Sequence, residues 1–218
     1  MKIVAENLSI HAGGIEIVHQ VSCKIPDKSF TSIVGPNGSG KSTILHAISR
    51  NLVNWSGQLT DIDENQLSLL PQNLDPPPFF SILDVVNLGF YGKKMTKKEK
   101  LEMTTSLLNK CGVASVQNQS FANASSGEQQ RGWLAFAMAQ SKDVTLLDEP
   151  LSSVDLPSRK NLYQLLLDFT RTGKTLVIVT HDIDMAIMFS DRIIRLEAGS
   201  KVFEGTTSQY QEAYSMFS

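Results

Sequence analysis

The sequence predicts an α/β fold with a parallel sheet, an antiparallel β hairpin near its start and an inserted helical lobe. Three observations lead to this prediction. β-branched residues lie on both sides of Gly13 and Gly14, as expected for two antiparallel strands. Residues 73–125 carry helix signals and lie between two strand-rich parts. From residue 126 onward, short apolar runs alternate with helical patterns, which is typical of parallel strands joined by helices.

The composition indicates one globular domain without an extreme charge. The chain has 218 residues, of which 41% are hydrophobic, and a net charge of −2. This length suits one domain with an inserted lobe, and the charge does not favour a nucleic-acid partner. The two cysteines form no disulfide framework and fit a reducing compartment. We expect neither a signal peptide nor a membrane-spanning stretch.

The first part of the chain predicts strands around one glycine-rich loop. A hairpin comes first, followed by a short apolar run that we expect to be a buried strand. A helix follows the loop, and two short strands with a turn between them come next. The predicted elements are strands at 2–8, 15–25 and 30–34, a helix at 41–49, and strands at 57–60 and 66–70.

The glycine-rich loop matches the phosphate-binding pattern G-x-x-x-x-G-K-[ST] at every fixed position. Glycines allow the backbone to wrap around a phosphate with its N–H groups pointing inward. The positive end of the helix dipole lies at the same place. The alternative is a glycine-rich turn that contains a lysine by chance. The residues predicted to bind phosphate are Gly35, Pro36, Asn37, Gly38, Ser39, Gly40, Lys41, Ser42 and Thr43.

Two side chains of this loop have distinct predicted roles. Lys41 is expected to reach the β- and γ-phosphates, and the hydroxyl of Ser42 to bind Mg²⁺. Because the loop follows a strand and opens a helix, the pattern predicts a P-loop NTPase fold.

The chain changes character at residue 73. The run at 75–78 contains three prolines and cannot be regular helix or central strand. Ser81 can cap one helix, and Thr96 with Glu99 forms a capping box for another that runs to about Lys110. We therefore expect a single domain at 1–218, with a core lobe at 1–72 and 126–218 and a helical lobe at 73–125.

The second part alternates helices with apolar strands. A helix is predicted from residue 126, and Pro157 fits the first turn of a later helix with one apolar stripe. Two of the apolar runs are typical of parallel strands buried on both faces. A short helix with Tyr210 and Tyr214 is expected at the end. The predicted strands are 144–147, 175–179, 193–196 and 201–203.

Two acids directly follow the strand at 144–147. Burying adjacent carboxylates is costly unless a cation or a reaction requires them. We expect Asp148 to help hold Mg²⁺ through water and Glu149 to polarise the attacking water as a general base. The alternative is that the pair only caps the next segment. His181 lies at the end of another strand and either only packs in the core or acts in the active site.

With these residues in place, the chain resembles the nucleotide-binding subunit of an ATP-binding cassette (ABC) transporter. The resemblance covers nearly the whole length, and the motifs follow the order of that family. They are a phosphate loop at 35–43, a glutamine loop at 70–72, a signature segment at 124–131, an acidic motif at 146–150, an aspartate loop at 152–155 and a switch histidine at 180–182.

The resemblance implies roles for the matching residues. Gln72 is implied to contact Mg²⁺ or the attacking water, and His181 to contact the γ-phosphate and hold Glu149 in place. It implies ATP and Mg²⁺ as cofactors and a head-to-tail homodimer that closes over two ATP molecules. The implied catalytic residues are Lys41, Gln72, Glu149 and His181; the implied metal residues are Ser42, Gln72 and Asp148. The residues implied to act on ATP held by the second copy are Ser125, Ser126, Gly127, Glu128 and Asp155.

The chain departs from the family pattern at two places beside the phosphate loop. The usual signature reads Leu-Ser-Gly-Gly-Gln, and here Ser126 replaces the first glycine. The family also places an aromatic residue under adenine, whereas this chain has Ala12 with His11 beside it. We expect the first change to tune the site and the second to loosen base selectivity.

Two segments are similar to those of importer ATPases. Residues 131–140 resemble the segment in iron-siderophore and vitamin B12 importers, and 84–91 resembles metal and metal-chelate importers, including those for zinc and manganese. The alternative is that Trp133 only fills the core of its helix. The resemblance thus implies an ATPase subunit at the cytoplasmic face of the cell membrane, bound to a separate permease and served indirectly by a substrate-binding protein.

A stretch at 76–80 is the candidate permease contact, with Phe79 and Phe80 expected to be exposed; the alternative is that both pack inside the lobe. Other functions stay open. The chain could instead be a non-transport ABC ATPase that acts on nucleic acid or the ribosome, or an ABC exporter subunit. It could also be a regulatory subunit with feeble catalysis.

Overall fold

The computed structural model describes residues 3–52 and 54–214, so Lys2 of the first predicted strand and both ends of the predicted domain lie outside the described residues. The strands are β1 (Ile3–Ala12), β2 (Ile15–Ile25), β3 (Phe30–Val34), β4 (Trp55–Leu59), β5 (Leu67–Leu70), β6 (Val144–Asp148), β7 (Thr175–Val179), β8 (Arg192–Glu197) and β9 (Ser200–Thr206). The helices are α1 (Lys41–Ile48), α2 (Ile82–Leu88), α3 (Lys97–Lys110), α4 (Ser126–Gln140), α5 (Leu156–Arg171), α6 (Ile183–Phe189) and α7 (Thr207–Tyr214).

The larger sheet has six strands in the order β5-β6-β7-β3-β8-β9. Neighbours from β5 to β8 are parallel, and β9 returns antiparallel to β8. The predicted parallel sheet and the α/β fold are therefore confirmed. Because β6, β7 and β3 are adjacent and parallel, the loops that follow them meet at one edge of the sheet.

The smaller sheet is antiparallel, in the order β2-β1-β4, and contains the predicted hairpin. Helix α1 lies between the two sheets. Apolar side chains of α1, such as Ile44 and Leu45, pack with Val177 and Val179 of β7 and with Leu8 and other residues of the smaller sheet. This packing fixes the start of α1, where the glycine-rich loop ends.

The opposite face of the larger sheet is covered by the helices of the middle segment and by α4 and α5. Leu176 and Ile178 of β7 share a buried cluster with Ile82 and Val85 of α2. Both predicted capping boxes are present, with Ser81 capping α2 and Thr96 capping α3. The boundary of the helical lobe at 73–125 stays a prediction, since this segment and the sheet share one apolar cluster.

Several details differ from the sequence-based expectations; β1, for example, runs to Ala12, four residues past the predicted end. Strand β4 begins at Trp55, two residues before the predicted start, and it pairs with β1, whereas β5 pairs with β6 in the other sheet. The sequence does not predict helix α6, whose seven residues closely follow the switch histidine.

None of the described helices combines the length and the apolar character that a membrane crossing requires.

Candidate functional site

The glycine-rich loop connects β3 to α1 in a conformation that depends on its glycines. Gly40 has φ 94° and directly precedes α1. A Cβ atom at Gly35 would overlap the backbone carbonyl oxygen of Leu196 in β8. A side chain is therefore excluded at Gly35 by close approach and is strained at Gly40 by the left-handed backbone.

The Lys41 side chain lies inside this loop. Its Nζ donates hydrogen bonds to the carbonyl oxygens of Gly35 at 3.0 Å and Pro36 at 2.8 Å. Only 5% of Lys41 is exposed, and burial lowers its pKa. A buried ammonium whose hydrogen-bond partners are neutral carbonyls is well placed to accept an anionic ligand, because charged partners give the stronger hydrogen bonds.

Ser42 and Asp148 form the inner wall of the site. The Ser42 hydroxyl donates to Oδ1 of Asp148 at 2.9 Å, across the junction of α1 and β6. Asp148 is 2% exposed, and this burial raises its pKa. The described residues contain no group of three or more acids, histidines or cysteines able to hold a metal alone. A hydroxyl and one carboxylate nevertheless fit Mg²⁺, which usually completes its shell with water and substrate phosphates.

Glu149 lies at the sheet edge where β5, β6 and β7 end. Its backbone has φ 45°, and its N–H donates to the carbonyl oxygen of Val179 in β7. Oε2 of Glu149 accepts from Nε2 of Gln72 at 3.2 Å and lies 3.4 Å from Nδ1 of His181. Three of the four predicted catalytic side chains, from the ends of β5, β6 and β7, thus meet at a single carboxylate oxygen. Gln72 contacts Glu149 here, and its predicted metal role stays a prediction.

A cavity of about 730 Å³ joins these groups. Its size is within the range of small-molecule and cofactor sites. Several predicted residues do not line it: Ser39, Gly40, Thr43, Asp148, those of the signature segment and Asp155. The lining residues are Gly35, Pro36, Asn37, Gly38, Lys41, Ser42, Gln72, Glu149, His181, Ile183 and Arg195.

The signature segment forms a separate, exposed surface at the start of α4. Ser125 is the N-cap of this helix, and its N–H and hydroxyl both donate to Oε2 of Glu128 at 2.8 Å. These hydrogen bonds lower the pKa of Glu128. Ser126 is exposed, so the side chain that replaces the usual glycine points to no buried partner. The two side chains of this capping box hydrogen-bond to each other and to the backbone N–H groups of Ser125 and Glu128.

The aspartate loop is attached to the signature helix. Gln130 of α4 donates to the Ser152 hydroxyl at 2.8 Å and accepts from the N–H of Ser153 at 2.7 Å. Asp155 caps α5 by accepting from the N–H of Ser158 at 3.0 Å. We therefore expect the aspartate loop and the signature segment to move as one unit with α4 and the start of α5.

Sequence reasoning missed several residues around the site. His46, one turn after Ser42 on α1, has Nε2 at 4.0 Å from Oδ2 of Asp148. Arg195 lines the cavity, and its guanidinium is held by Glu197 and the hydroxyl of Tyr210. The i,i+4 spacing of Ser42 and His46 on one helix face could have indicated the former. No motif indicates the latter, because it approaches from β8 through tertiary packing.

Ala12 and His11 lie at the end of β1, where Ala12 pairs with Ile15 across the hairpin. Both residues are exposed, and neither lines the cavity. Trp133 packs against the ring of Phe121, with centroids 4.7 Å apart, so it does fill the core beside its helix.

Comparison with known proteins identifies the family. The family model described as "ABC transporter" matches residues 18–152, more than half of the chain. The ferric enterobactin transport ATP-binding protein FepC of Escherichia coli (strain K12) is 30% identical over 95% of this chain and 83% of its own length. The iron(3+)-hydroxamate import ATP-binding protein FhuC of Bacillus subtilis (strain 168) is 31% identical over 92% of this chain and 81% of its own length.

A solved structure extends this likeness to three dimensions. The dimeric, post-hydrolysis state of the ATP-binding cassette MJ0796, bound to ADP and Pi, superposes with a TM-score of 0.84 at 28% identity. The alignment covers 94% of this chain and 98% of that one. The resemblance predicted from the motifs is confirmed, and the chain belongs to the ABC transporter family.

Proposed function

We propose that the chain is the ATP-hydrolysing nucleotide-binding subunit of an ABC importer, which acts as a head-to-tail homodimer around two ATP molecules. The observation that carries this proposal is the convergence of Gln72 and His181 on Oε2 of Glu149, in the same cavity as Lys41 and Ser42. A phosphate cradle, a metal-compatible pair and an oriented carboxylate are the parts that hydrolysis of a nucleoside triphosphate requires.

The phosphate loop binds and orients the triphosphate. Its backbone N–H groups and the start of α1 attract the β- and γ-phosphates, and Nζ of Lys41 exchanges its carbonyl partners for phosphate oxygens. Ser42 and Asp148 are the residues that would hold Mg²⁺. When bound, this ion neutralises part of the charge that develops on the phosphate oxygens.

Glu149 acts as the general base. Its carboxylate takes a proton from water as the water oxygen attacks the γ-phosphorus, and ADP leaves with the electron pair of the broken P–O bond. Gln72 and His181 fix the direction of Oε2, so the water is bound in one orientation. His181 is half-exposed to the cavity, which lets its ring also reach the γ-phosphate.

The second copy completes each site. The surface of Ser125, Ser126, Gly127 and Glu128 lies outside the cavity of its own chain, and the related cassette is a dimer in its ADP-bound state. The N–H groups at the start of α4 then meet the γ-phosphate held by the partner. Asp155 lies beside this surface and contacts the partner at the same interface.

The permease contact is assigned to the start of the middle segment. Phe79 is 94% exposed and Phe80 40%, so the alternative in which both pack inside the lobe is wrong. An exposed apolar patch of this kind is typical of an interaction site. We assign the subunit to the cytoplasmic face of the cell membrane, bound to the permease and served indirectly by a substrate-binding protein. We also assign a metal or metal chelate as the cargo, since the two relatives named above carry iron-chelate names.

Co-purification from membranes tests this assignment. We expect tagged parent chain to retain an integral membrane protein with the sequence of a permease, and Phe79→Asp to lose it while ATP turnover by the isolated dimer stays within about twofold. Val202→Asp, which changes an exposed apolar residue of β9, is the matched control and should retain the permease. Parent chain that never retains a membrane subunit would contradict the transport role.

A further inference from the structure

Arg159 connects two loops that belong to different parts of the site. It lies in the first turns of α5, four residues after Asp155. Its Nη1 donates to Oδ2 of Asp182 at 2.8 Å, and its Nη2 donates to the carbonyl oxygen of Val154 at 2.8 Å. The two side chains of the ion pair are only 16% and 14% exposed, so water screens the pair weakly.

Asp182 directly follows the switch histidine and is itself firmly held. Its Oδ1 accepts from the N–H of Met185 and so caps α6, and its own N–H donates to the Thr180 hydroxyl. Tyr163 of α5 donates to the same hydroxyl at 3.2 Å. The loop that carries His181 is therefore attached to α5 on both sides of the histidine.

There is little space for these loops to shift independently. A cavity of about 10 Å³ lies between them, bordered by Glu149, Arg159, His181 and Asp182. A space of that size holds at most one water molecule. Displacement of the aspartate loop is therefore transmitted to the loop that carries His181. Close packing and the two hydrogen bonds of the Arg159 guanidinium transmit it.

We propose that Arg159 is a positioning residue for ATP hydrolysis: by bridging Val154 and Asp182, it makes the position of His181 against Glu149 depend on the position of the aspartate loop. The inference rests on the proposed function, because Asp155 contacts a partner copy only if the dimer forms. Docking of that copy at Asp155 then sets the direction of the His181 ring, and hydrolysis is delayed until the dimer has closed.

Four variants test this role. Arg159→Gln removes the guanidinium with its two hydrogen bonds, and Arg159→Lys keeps the positive charge. Asp182→Asn removes the negative charge of the ion pair while keeping an N-cap oxygen. The fourth variant combines Arg159→Gln with Asp182→Asn and closes a double-mutant cycle. The matched control is Arg171→Gln, at the other end of α5, whose ion pair with Asp168 is exposed.

We expect Arg159→Gln to lower kcat about 10- to 100-fold while KM for ATP changes less than about threefold, because misplacement of an orienting group affects the reaction more than binding. Arg159→Lys should recover part of kcat, and the double variant should be no slower than the slower single variant. Amides of 180–189 should exchange hydrogen faster in Arg159→Gln without nucleotide. Arg171→Gln should match the parent in every measurement.

Parental kcat in Arg159→Gln, or additive losses in the cycle, would overturn the inference. A rise in KM equal to the fall in kcat would do the same, since it would indicate damage to ATP binding. If Arg159→Gln is poorly folded by its melting temperature, the comparison of Asp182→Asn with the parent decides, because this variant keeps the N-cap of α6. A parent chain without ATP turnover would contradict the proposed function itself, whereas an active parent with an equally active Arg159→Gln contradicts only the positioning role.

Discussion

The two halves of the proposed site differ in how they are held. The phosphate half is internal: Lys41 is 5% exposed and Asp148 is 2% exposed. Lys41 donates hydrogen bonds to carbonyls of its own loop, and Asp148 accepts one from Ser42 of α1. The signature half is a surface, where the side chains of Ser125 and Glu128 bond to each other and Ser126 is exposed. One chain therefore forms and supports the phosphate pocket by itself, whereas its signature segment is exposed for contact with another molecule.

Burial explains why the two halves are built in different ways. A buried carboxylate or ammonium needs a partner, so the phosphate half carries charge that a ligand and a cation can balance. An exposed helix N-terminus is satisfied by its own capping box until a better anion arrives. The first arrangement suits tight substrate binding, and the second suits a contact that forms and breaks in each cycle.

The same substitution in both halves gives the largest expected contrast. Glu149→Gln should lower ATP turnover about 10²- to 10⁴-fold, because it removes the general base. Glu128→Gln should stay within a few fold of the parent, since glutamine also completes a capping box. Turnover is measured as phosphate release, with ATP binding as the control. Glu149→Gln that hydrolyses ATP as fast as the parent would show that another group is the base.

Mixing two inactive variants tests whether the halves come from different chains. Lys41→Ala disables the phosphate half, and Ser125→Asp keeps an N-cap while placing a carboxylate against the phosphate. Each variant alone should be nearly inactive. An equal mixture should recover about a quarter of the parental rate if dimers form at random and the sites act independently, because each mixed dimer has one intact site.

The control for this experiment is a chain that carries both substitutions. Mixed with either single variant, it contributes no intact half to complement the missing one, and no activity should return. Absence of recovery in the mixture of single variants, with both of them folded and able to form dimers, would place the two halves in one chain.

The buried acid of the phosphate half also has a stability consequence. Burial raises the pKa of Asp148, so its contribution to stability is full below the unfolded-state pKa and is lost as pH rises through the folded-state pKa. Near neutral pH without nucleotide, Asp148→Asn should therefore raise the melting temperature, and the difference should shrink on acidification. Asp75→Asn, in an exposed loop, is the control and should melt like the parent at each pH. A lower melting temperature for Asp148→Asn would contradict this account.

The smallest effect is expected on the signature surface. Ser126→Gly restores the usual glycine and removes an exposed side chain, so ATP turnover should rise only a few fold and ATP binding to the single chain should not change. The helix loses some intrinsic stability with the added glycine, which a melting curve would detect. A large fall in turnover would instead assign a direct role to the Ser126 hydroxyl.

Local signals predicted most of the elements. Capping boxes at Ser81 and Thr96, Pro157 in the first turn of α5 and the apolar runs of β3, β6 and β7 all appear where the sequence indicates them. The misses have separate origins. Strand β4 begins two residues before the sequence indicates, because its start is set by pairing with β1, which lies far away in the sequence, whereas α6 is short and its cap at Asp182 is hidden among polar residues.

The sequence by itself determined the phosphate loop, the two acids at the end of β6 and the order of the motifs, because these depend on residue type and on spacing within a few residues. Only the tertiary structure decided that Gln72 and His181 meet at one oxygen of Glu149 and that Arg159 bridges Val154 and Asp182. Such contacts join residues that are distant in sequence, and the parallel pairing of β5, β6 and β7 brings them together. Strand order is a property of the whole core, and a local pattern does not contain it.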